Sequence, residues 1–310
     1  MPVANSRIVE ELRRTDLKGQ RMSKTDMTKG AGEIDIGTDI AGKVSRYARI
    51  IEAVFRRYWK AGKTEFSFER DELTQVCREL MIVVPKNLGD VIYTFRYRKS
   101  LPKSILATQP ADRGWLILGD GDARYRFRLN KLTHIRPANG LLVRKIPDST
   151  PEIIMRYALT DEQALLAKVR YNRLIDIFLG ITASSLQNHL RTKIPNYGQI
   201  EIDELYVGID SRGAQYIVPV QAKGGSDVLG AIQTIQDLTF CQTEQKYSDC
   251  IARAVSAQFL TNDTIALFET TFDGDEVLIV RERHYRLTES NAIQAKDLRL
   301  YRTEHPDRPD

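Results

Sequence analysis

The sequence predicts an α/β fold in which a mixed central sheet is flanked by helices, with a smaller α+β domain before it. Two observations predict this. From residue 160 onward, helical and strand patterns follow in the order helix, strand, strand, helix, helix, strand, strand. The preceding segment, residues 41–136, carries three helical patterns and then two strand patterns. A chain of 310 residues is long enough for two such domains.

The composition is that of a globular protein with a moderate preference for polyanionic partners. Hydrophobic residues make up 42% of the chain, enough for a sizeable core, and the net charge is +5. The scattered cysteines, Cys77, Cys241 and Cys250, do not form a disulfide framework and suit a reducing compartment. The histidines show no zinc-site spacing. Without a transmembrane-length apolar run or a signal-peptide pattern, the sequence predicts a cytoplasmic protein that does not bind membranes.

The first part of the chain predicts a polar arm followed by three helices. Residues 1–40 are polar and mixed in charge, so we expect a flexible arm. Apolar residues at helical spacing predict the first helix over 41–58. Ser67 is a candidate N-cap for a second helix that ends near Leu80. A third helix is predicted over 86–98, after Pro85.

A basic hairpin follows these helices. Residues 115–118 and 124–129 have strand patterns, and alternation along the second puts Arg124, Arg126 and Arg128 on one face. Three helices followed by such a hairpin resemble the winged-helix fold, whose third helix enters the major groove and whose hairpin contacts the backbone or minor groove. The resemblance implies a DNA-binding domain over residues 41–136.

The local charge favours that interpretation. Between Tyr93 and Ser149, twelve residues are basic and four are acidic. Each Lys or Arg laid on a phosphate releases counterions and strengthens DNA binding. A basic face that is merely solvated, or a winged helix that contacts protein, would show the same pattern. The candidates for base-edge or phosphate contact are Tyr93, Arg96, Arg98, Lys99, Arg124, Arg126 and Arg128.

A linker and a second domain are predicted next. Residues 137–151 contain Gly140, prolines and Asp-Ser-Thr, a composition typical of a linker between domains. The second domain is predicted over 152–300, with a polar tail over 301–310. Besides a central hairpin, its predicted elements are helices over 160–179, 186–191, 227–240 and 248–259 and strands over 264–269 and 276–281.

The central hairpin of the second domain carries the chemistry. Strands are predicted over 199–209 and 215–223, joined by a turn over 210–213 in which Gly213 can adopt a positive φ. Side-chain alternation puts Gln221 and Lys223 on one face, and the apolar run before Lys223 predicts its burial. Burying an amide or an ammonium group costs free energy unless the group forms a pair or binds a metal. A surface hairpin with solvated carboxylates is the alternative.

This set of groups suits metal-assisted hydrolysis of a phosphodiester. Oxygen atoms of Asp203, of the Gln221 side chain and of the Ala222 backbone are ligands that Mg²⁺ (or Mn²⁺) accepts. Such an ion polarises the phosphate and lowers the pKa of a bound water. Lys223 can orient that water or offset charge that develops on the phosphate. The candidate catalytic residues are therefore Asp203, Gln221 and Lys223.

The arrangement resembles the PD-(D/E)xK, or restriction-endonuclease-like, nuclease superfamily. That family carries a first carboxylate on one strand and an acidic-x-Lys tripeptide on the next. Here Ile202 replaces the proline before Asp203, and Gln221 replaces the second carboxylate, as in the branch with Mrr-like enzymes. The site is left one formal charge short. Glu201 or Glu204 can compensate; strand alternation favours Glu201, and a bulge would reverse that choice.

The resemblance also suggests supporting residues. The helix before the hairpin sometimes lends an acid to the metal, and Glu162 is the candidate here, although a capping role explains it as well. His189 and Arg191 are candidates for contact with the scissile phosphate. The helix after the hairpin often supplies a polar residue, for which Gln233 is the candidate. A structural or merely exposed histidine is the alternative for His189, and an ordinary helix surface is the alternative for Gln233.

The resemblance implies a metal-dependent DNA endonuclease, best described as a type II restriction endonuclease that cuts duplex DNA at a specific sequence. Enzymes of this kind commonly pair two catalytic domains, so we expect a homodimer. A modification-dependent Mrr-like nuclease and a non-catalytic winged-helix DNA-binding regulator are alternatives. A junction-resolving nuclease is a further one, and the DNA-reading domain argues against it.

Overall fold

The computed structural model describes five segments of the chain. The arm predicted over residues 1–40 lies outside them, as do residues 304–310 of the predicted tail. The described segments are 45–158, 161–195, 197–224, 227–260 and 263–303.

The first part of the fold packs helices against a three-stranded antiparallel sheet of order β1-β3-β2. Its core is aromatic: Phe55 lies 5.1 Å from Phe127 and 5.3 Å from Trp115 between ring centroids. The elements are α1 (Arg46–Tyr58), β1 (Glu65–Glu69), α2 (Asp71–Glu79), α3 (Gly89–Tyr93), a π-helical turn (Thr94–Arg98), α4 (Lys103–Leu106), β2 (Gly114–Gly119) and β3 (Arg124–Asn130).

Two details of this part differ from the sequence prediction. Ser67 does not cap a helix, because it lies inside β1, where alternation buries Phe66 and Phe68. The third helix begins at Gly89 rather than residue 86 and ends in the π-helical turn, where the N–H of Lys99 donates to the carbonyl of Thr94 at 2.8 Å. Single π turns of this kind are frequent at functional sites.

The second part is built on an eight-stranded mixed sheet. Its main path runs β5-β13-β12-β11-β8-β7-β6, with β10 also paired to β8. The neighbours β8 and β11 run parallel, as do β13 and β5, while β6, β7 and β8 form an antiparallel meander. The strands are β5 (Val143–Pro147), β6 (Thr182–Ile194), β7 (Gly198–Ile209), β8 (Gln215–Lys223), β10 (Ile251–Ala252), β11 (Ala254–Phe259), β12 (Thr264–Asp273) and β13 (Glu276–Thr288), and β4 (His134–Ile135) pairs separately with β9 (Leu229–Gly230).

Helices cover both faces of this sheet. On one face, α6 and α7 bury Leu165, Val169 and Phe178 against β8, β11 and β12. On the other, α8 buries Ile235 and Leu238 against β11 and β13. The predicted mixed sheet flanked by helices is therefore confirmed. The helices of this part are α5 (Glu152–Tyr157), α6 (Asp161–Tyr171), α7 (Leu174–Leu179), α8 (Ala231–Thr243) and α9 (Ala295–Thr303).

Two helices predicted from the sequence are strands. Residues 186–191 lie within β6, which pairs with β7 along its whole length. This strand is irregular: its register shifts between Ser185 and Gln187, and His189 has φ of 47°. Residues 248–259 contain β10 and β11, and Val255 and Ala257 of β11 are buried in the sheet. In both segments, strand pairing overrides local helical spacing.

Smaller differences concern the boundaries of the predicted elements. The segment predicted as a linker, 137–151, contains β5, which pairs with β13 at the sheet edge. The helix predicted to end near residue 179 is broken at Arg173, which has φ of 49° and separates α6 from α7. The helix α9 extends into the predicted tail. None of the helices in the described segments is long and apolar enough to span a membrane.

Candidate functional site

The β7–β8 hairpin has the predicted turn at one end. Asp210 Oδ1 accepts the N–H groups of Arg212 at 2.9 Å and of Ala214 at 3.0 Å, and Gly213 adopts φ of 88°. Burial alone would raise the pKa of Asp210, but these hydrogen bonds outweigh burial and hold the pKa at about 2. This carboxylate is therefore fully engaged in holding the turn.

At the other end of the hairpin the backbone ladder stops and side chains continue it. The last paired residues are Glu204 and Val220. Beyond them, the N–H of Ala222 donates to Asp203 Oδ2 at 2.8 Å, and Gln221 Nε2 donates to the carbonyl of Glu201 at 3.1 Å. The two strands thus separate where the sequence predicts the site, and Asp203 is fixed across the gap.

The carboxyl group of Asp203 is in an environment that resists ionisation. Burial raises its pKa above the usual range, and the nearby charge of Glu162 acts in the same direction. The Ala222 N–H and the charges of Lys223 and His189 oppose this shift without cancelling it. A carboxylate held in this way gains from a positive ion at its free oxygen.

Lys223 pairs with the candidate acid from the preceding helix. Its Nζ donates to Glu162 Oε1 at 2.8 Å, and four-fifths of the lysine side chain is buried. Burial alone would lower the pKa of Lys223, but Glu162, Asp203 and Asp227 outweigh it and raise the pKa. Lys223 is therefore a cation held between carboxylates, and Glu162 lies beside it rather than serving only as a helix cap.

Gln221 lies beneath these groups, against helix α8. Its side chain is 2% exposed, and its Nε2 also donates to Asp237 Oδ1 at 3.2 Å. Its Oε1 is 3.5 Å from Nε2 of Gln233, the residue predicted to support the site. Burial raises the pKa of Asp237 well above its usual range. The side-chain oxygen of Gln221 therefore faces α8.

Sequence reasoning missed Asp237. In α8, Thr234, Gln236 and Asp237 are buried along with the apolar residues. Asp237 is the one charged residue in the sequence AIQTIQDLTFC, and that signal could have identified it.

Glu201 and Glu204 point to different surroundings. Glu201 is exposed and accepts from Arg191 Nε at 3.1 Å, with His189 Nδ1 3.7 Å away. Glu204 is fully buried and accepts from Arg170 Nε of α6 at 2.7 Å. The structure thus groups Glu201, Arg191 and His189 as neighbours at the strand edge.

The strand is irregular beside Asp203. Ile202 and Leu205 pack in the same core cluster, although strict alternation would place them on opposite faces. The irregularity lies at Asp203 and Glu204. As a result, Asp203 opens to a cleft with Glu201, and Glu204 turns to the α6 side. This geometry therefore favours Glu201 over Glu204 as the neighbour of Asp203.

A cleft of about 1280 Å³ is lined by residues of both parts of the fold. Its wall includes Glu162, Glu201, Asp203 and Lys223 from the second part and the segment 93–101 from the first. It also contains Gln233, which lies on α8 behind the hairpin. The structure thus places Tyr93, Arg96, Arg98 and Lys99 in the same cleft as Asp203 and Lys223.

The three arginines of the basic hairpin are placed differently. Arg124 lies 3.3 Å from Asp120, Arg126 lies 3.6 Å from Glu65, and Arg128 lies 3.5 Å from Asp275, measured between charged atoms. Arg124 also lies 3.7 Å from Glu69, the residue of β1 directly opposite it in the sheet. Their charges are therefore compensated within the fold, and the arginines lie outside the cleft wall.

The residues at the cleft fit a magnesium ion held by few protein ligands. The described segments contain no group of three or more His, Cys, Asp or Glu side chains that could hold a metal. Mg²⁺ usually keeps several waters and binds through one or two carboxylates together with substrate phosphates. Asp203 and Glu162, both close to Lys223, would be those carboxylates.

Comparison of the chain with known proteins gives no relative. No protein-family model matches it, and neither a curated protein nor a solved structure matches it.

Proposed function

We propose that this protein is a metal-dependent DNA endonuclease of the type II restriction kind, which hydrolyses phosphodiester bonds in duplex DNA at a specific sequence. The observation that carries the proposal is the shared cleft. Basic residues of the segment 93–101 and the pair Asp203 and Lys223 line the same cavity. A nucleic-acid backbone bound by the first group would therefore lie along the second.

The topology supports a nuclease of the PD-(D/E)xK kind. That family carries its first carboxylate on one strand and its x-Lys tripeptide on the next, with a helix covering the sheet. In this chain Asp203 lies on β7, Lys223 ends the adjacent strand β8, and α6 supplies Glu162 beside the lysine. Apart from the π-helical turn and the short helix α4 between α3 and β2, the first part of the fold has the order helix, strand, helix, helix, strand, strand, which supports the winged-helix interpretation.

Each residue has a chemical role in this proposal. Arg96, Arg98 and Lys99 bind backbone phosphates in the cleft. Asp203 and Glu162 hold Mg²⁺, which when bound polarises the phosphate and lowers the pKa of a coordinated water. Lys223 stabilises the negative charge that grows on the phosphate oxygens. Gln221 and Asp237 brace the end of β8 from behind, which keeps Lys223 in place.

The proposed partner in solution is a second copy of the chain. One active centre cuts one strand, so cleavage of both strands at one site calls for two catalytic centres. We therefore propose a homodimer as the active form on duplex DNA.

A non-catalytic DNA-binding protein is the second candidate, and one observation favours it. Gln221 is turned toward α8, and Lys223 is already paired with Glu162. In a site that no longer binds a metal, the polar groups would pair with one another in this way. In that case the cleft would bind DNA and leave it intact.

The test is cleavage of plasmid DNA by the full-length protein in Mg²⁺, Mn²⁺ or EDTA. We compare the wild type with the Lys223→Ala variant. The Lys60→Ala variant is the matched control, because Lys60 is exposed and lies away from the cleft wall. Thermal unfolding of all three proteins checks that they fold equally well. Methylated and unmethylated plasmids separate a restriction enzyme from a modification-dependent Mrr-like nuclease.

We expect discrete, metal-dependent fragments from the wild type and from Lys60→Ala, and none from Lys223→Ala. Cutting of methylated DNA alone would replace the restriction enzyme by the Mrr-like alternative. Intact DNA under all conditions, together with gel shifts that do not depend on Lys223, would reject the nuclease in favour of the DNA-binding protein.

A further inference from the structure

A second polar cluster lines the cleft beside the candidate catalytic residues. It consists of Arg96 and Tyr97 from the π-helical turn and Gln236 from α8. Tyr97 links the other two: its hydroxyl is 3.1 Å from Gln236 Oε1, and the guanidinium carbon of Arg96 lies 5.0 Å from the centre of its ring. Residues from two parts of the fold therefore meet here through direct contacts.

This cluster holds buried donors that no group of the described residues satisfies. Within the described segments, Nε and Nη2 of Arg96 and Nε2 of Gln236 have no hydrogen-bond partner. The Gln236 side chain is 4% exposed. An unsatisfied buried donor costs about 1–3 kcal/mol, and more when it carries charge. Buried polar groups without partners are rare in native proteins, so these three atoms require an explanation.

The donors specify the chemistry of the missing partner. Guanidinium and amide N–H groups need acceptor oxygens, and the uncompensated arginine needs a negative charge. Burial raises the pKa of Tyr97, so its hydroxyl stays neutral and adds no competing negative charge. The planar fork of arginine matches phosphate oxygens in a bidentate geometry.

Nearby carboxylates do not fill this role, since the Arg96 and Gln236 donors have no hydrogen-bond partner within the described segments. Glu162 pairs with Lys223, and Asp203 accepts the N–H of Ala222. Asp237 follows Gln236 in the chain, and its Oδ1 accepts from Gln221 at 3.2 Å. The cluster therefore leaves unsatisfied donors at the cleft wall.

We propose that Arg96, Tyr97 and Gln236 form a phosphate-binding subsite that anchors the backbone of a DNA strand next to the candidate catalytic residues. The assignment to DNA rests on the proposed function. Helix α8 sets the placement: Gln233 lies near Gln221 under the catalytic end of β8, and Gln236 lies one turn away, about 5–6 Å along the helix surface. The anchored phosphate is therefore a close neighbour of the one that Lys223 contacts.

The experiment measures binding without cleavage. Fluorescence anisotropy with a labelled duplex in EDTA gives the affinity of the full-length protein over a range of salt concentrations. The variants are Arg96→Gln, Gln236→Leu and their combination. The matched control is Arg78→Gln, because Arg78 is an exposed arginine of α2 away from the cleft wall. Calorimetry with inorganic phosphate tests whether a free phosphate binds at the same place.

We expect Arg96→Gln to weaken duplex binding about tenfold or more, by a similar factor for unrelated sequences. The slope of log affinity against log salt should fall by about 0.9, the value for one lost phosphate contact. Gln236→Leu should weaken binding and leave the slope unchanged. The fold-loss of affinity in the double variant should be smaller than the product of the fold-losses in the two single variants, since both residues bind one ligand. Arg78→Gln should change neither quantity.

Stability separates a ligand site from a structural role. Removing a buried, unpaired charge relieves a cost, so Arg96→Gln should not lower the melting temperature. A lowered melting temperature with unchanged DNA affinity would overturn the proposal. So would a change in sequence preference without uniform weakening, which would assign Arg96 to base reading.

Two further outcomes distinguish this inference from the proposed function. Phosphate binding that depends on Arg96, in a protein that does not bind DNA, would support the subsite and reject the DNA-binding function. DNA that is bound and cut equally well by the wild type and Arg96→Gln would support the nuclease and reject the subsite.

Discussion

Two aspartates lie at opposite ends of the β7–β8 hairpin in contrasting environments. Asp210 at the turn accepts two backbone N–H groups and the hydroxyl of Tyr216, and its pKa is held at about 2. Asp203 at the open end accepts one backbone N–H, and burial raises its pKa. The same residue type on one hairpin thus stabilises the turn at one end and remains poorly satisfied at the other.

The contrast shows how a structural carboxylate differs from a functional one. At the turn, short-range donors compensate the charge, so ionisation favours the fold. At the open end the charge is under-compensated, which costs stability and leaves an oxygen for a ligand. Perturbed groups of the second kind cluster at functional sites. The following predictions test this difference, from the largest expected effect to the smallest.

The largest effect should be on cleavage. Asp203→Asn removes the charge that holds the metal and should reduce Mg²⁺-dependent cleavage by at least about 10²-fold. Asp210→Asn, the same substitution at the turn, should leave cleavage unchanged. Fragment yield over time on plasmid DNA measures both. Equal loss of activity in the two variants would mean that the hairpin fold, and not the site, had been damaged.

The turn should depend on the backbone freedom of Gly213. This glycine has φ of 88°, and no atom lies within 4 Å of the position that a Cβ would take, so Gly213→Ala meets no clash and only a conformational penalty. We expect a loss of about 1–2 kcal/mol in the free energy of unfolding, measured by urea denaturation. Gly213→Asn should lose less, because asparagine tolerates this conformation better.

Gly230→Ala is the control for this substitution. Gly230 has φ of −95° and also has open space around it, so alanine should cost little there. Equal losses at the two glycines would contradict the assignment of the turn conformation.

The contribution of Asp210 to the free energy of unfolding should decrease as the pH falls. Its pKa is lower in the folded state than the usual 3.8, so ionised Asp210 stabilises the fold above that value. The stability advantage of wild type over Asp210→Asn should be full above pH 4 and should shrink as the pH falls toward 2. Urea denaturation of both proteins across this range measures it. If the stability difference between wild type and Asp210→Asn instead grew as the pH fell, ionised Asp210 would not stabilise the fold.

The smallest effect should be a gain of stability at Asp203. Its pKa is raised in the folded state, so its ionised form opposes folding at neutral pH, and the cost appears as the pH rises through the folded pKa. Asp203→Asn should therefore melt at a higher temperature than wild type at pH 7.5 in EDTA. Added Mg²⁺ should raise the melting temperature of the wild type and not that of the variant.

The sequence predicted the hairpin well because its signals are local. Alternation, the residues 210–213 and the abrupt polar ending at Gln221 and Lys223 all lie within one short stretch. The structure confirms both strands and the turn. It also confirms the burial expected for Lys223, whose side chain is largely covered. Parity favoured Glu201 over Glu204, and Glu201 lines the cleft together with Asp203.

Errors occurred where local pattern and tertiary context disagree. β11 is covered by helices on both faces, so Ala254 to Ala257 are all buried and show no alternation. In β6, Leu186 and Leu190 are spaced as in a helix, yet pairing with β7 makes the segment extended. Arg124 and Arg126 contact acids of β1, a strand that was not predicted because Ser67, in its middle, was interpreted as the N-cap of a helix.

The irregular course of β6 has a consequence for how copies of this chain meet. β6 lies at the edge of the sheet, and a long, flat edge strand is a template on which other chains add and aggregate. The register shift at Ser185 and Gln187 and the left-handed His189 break that template. The charged Arg191 and Lys193 follow them. Growth of the sheet through β6 is thereby discouraged, so a dimer of this protein would form through another surface.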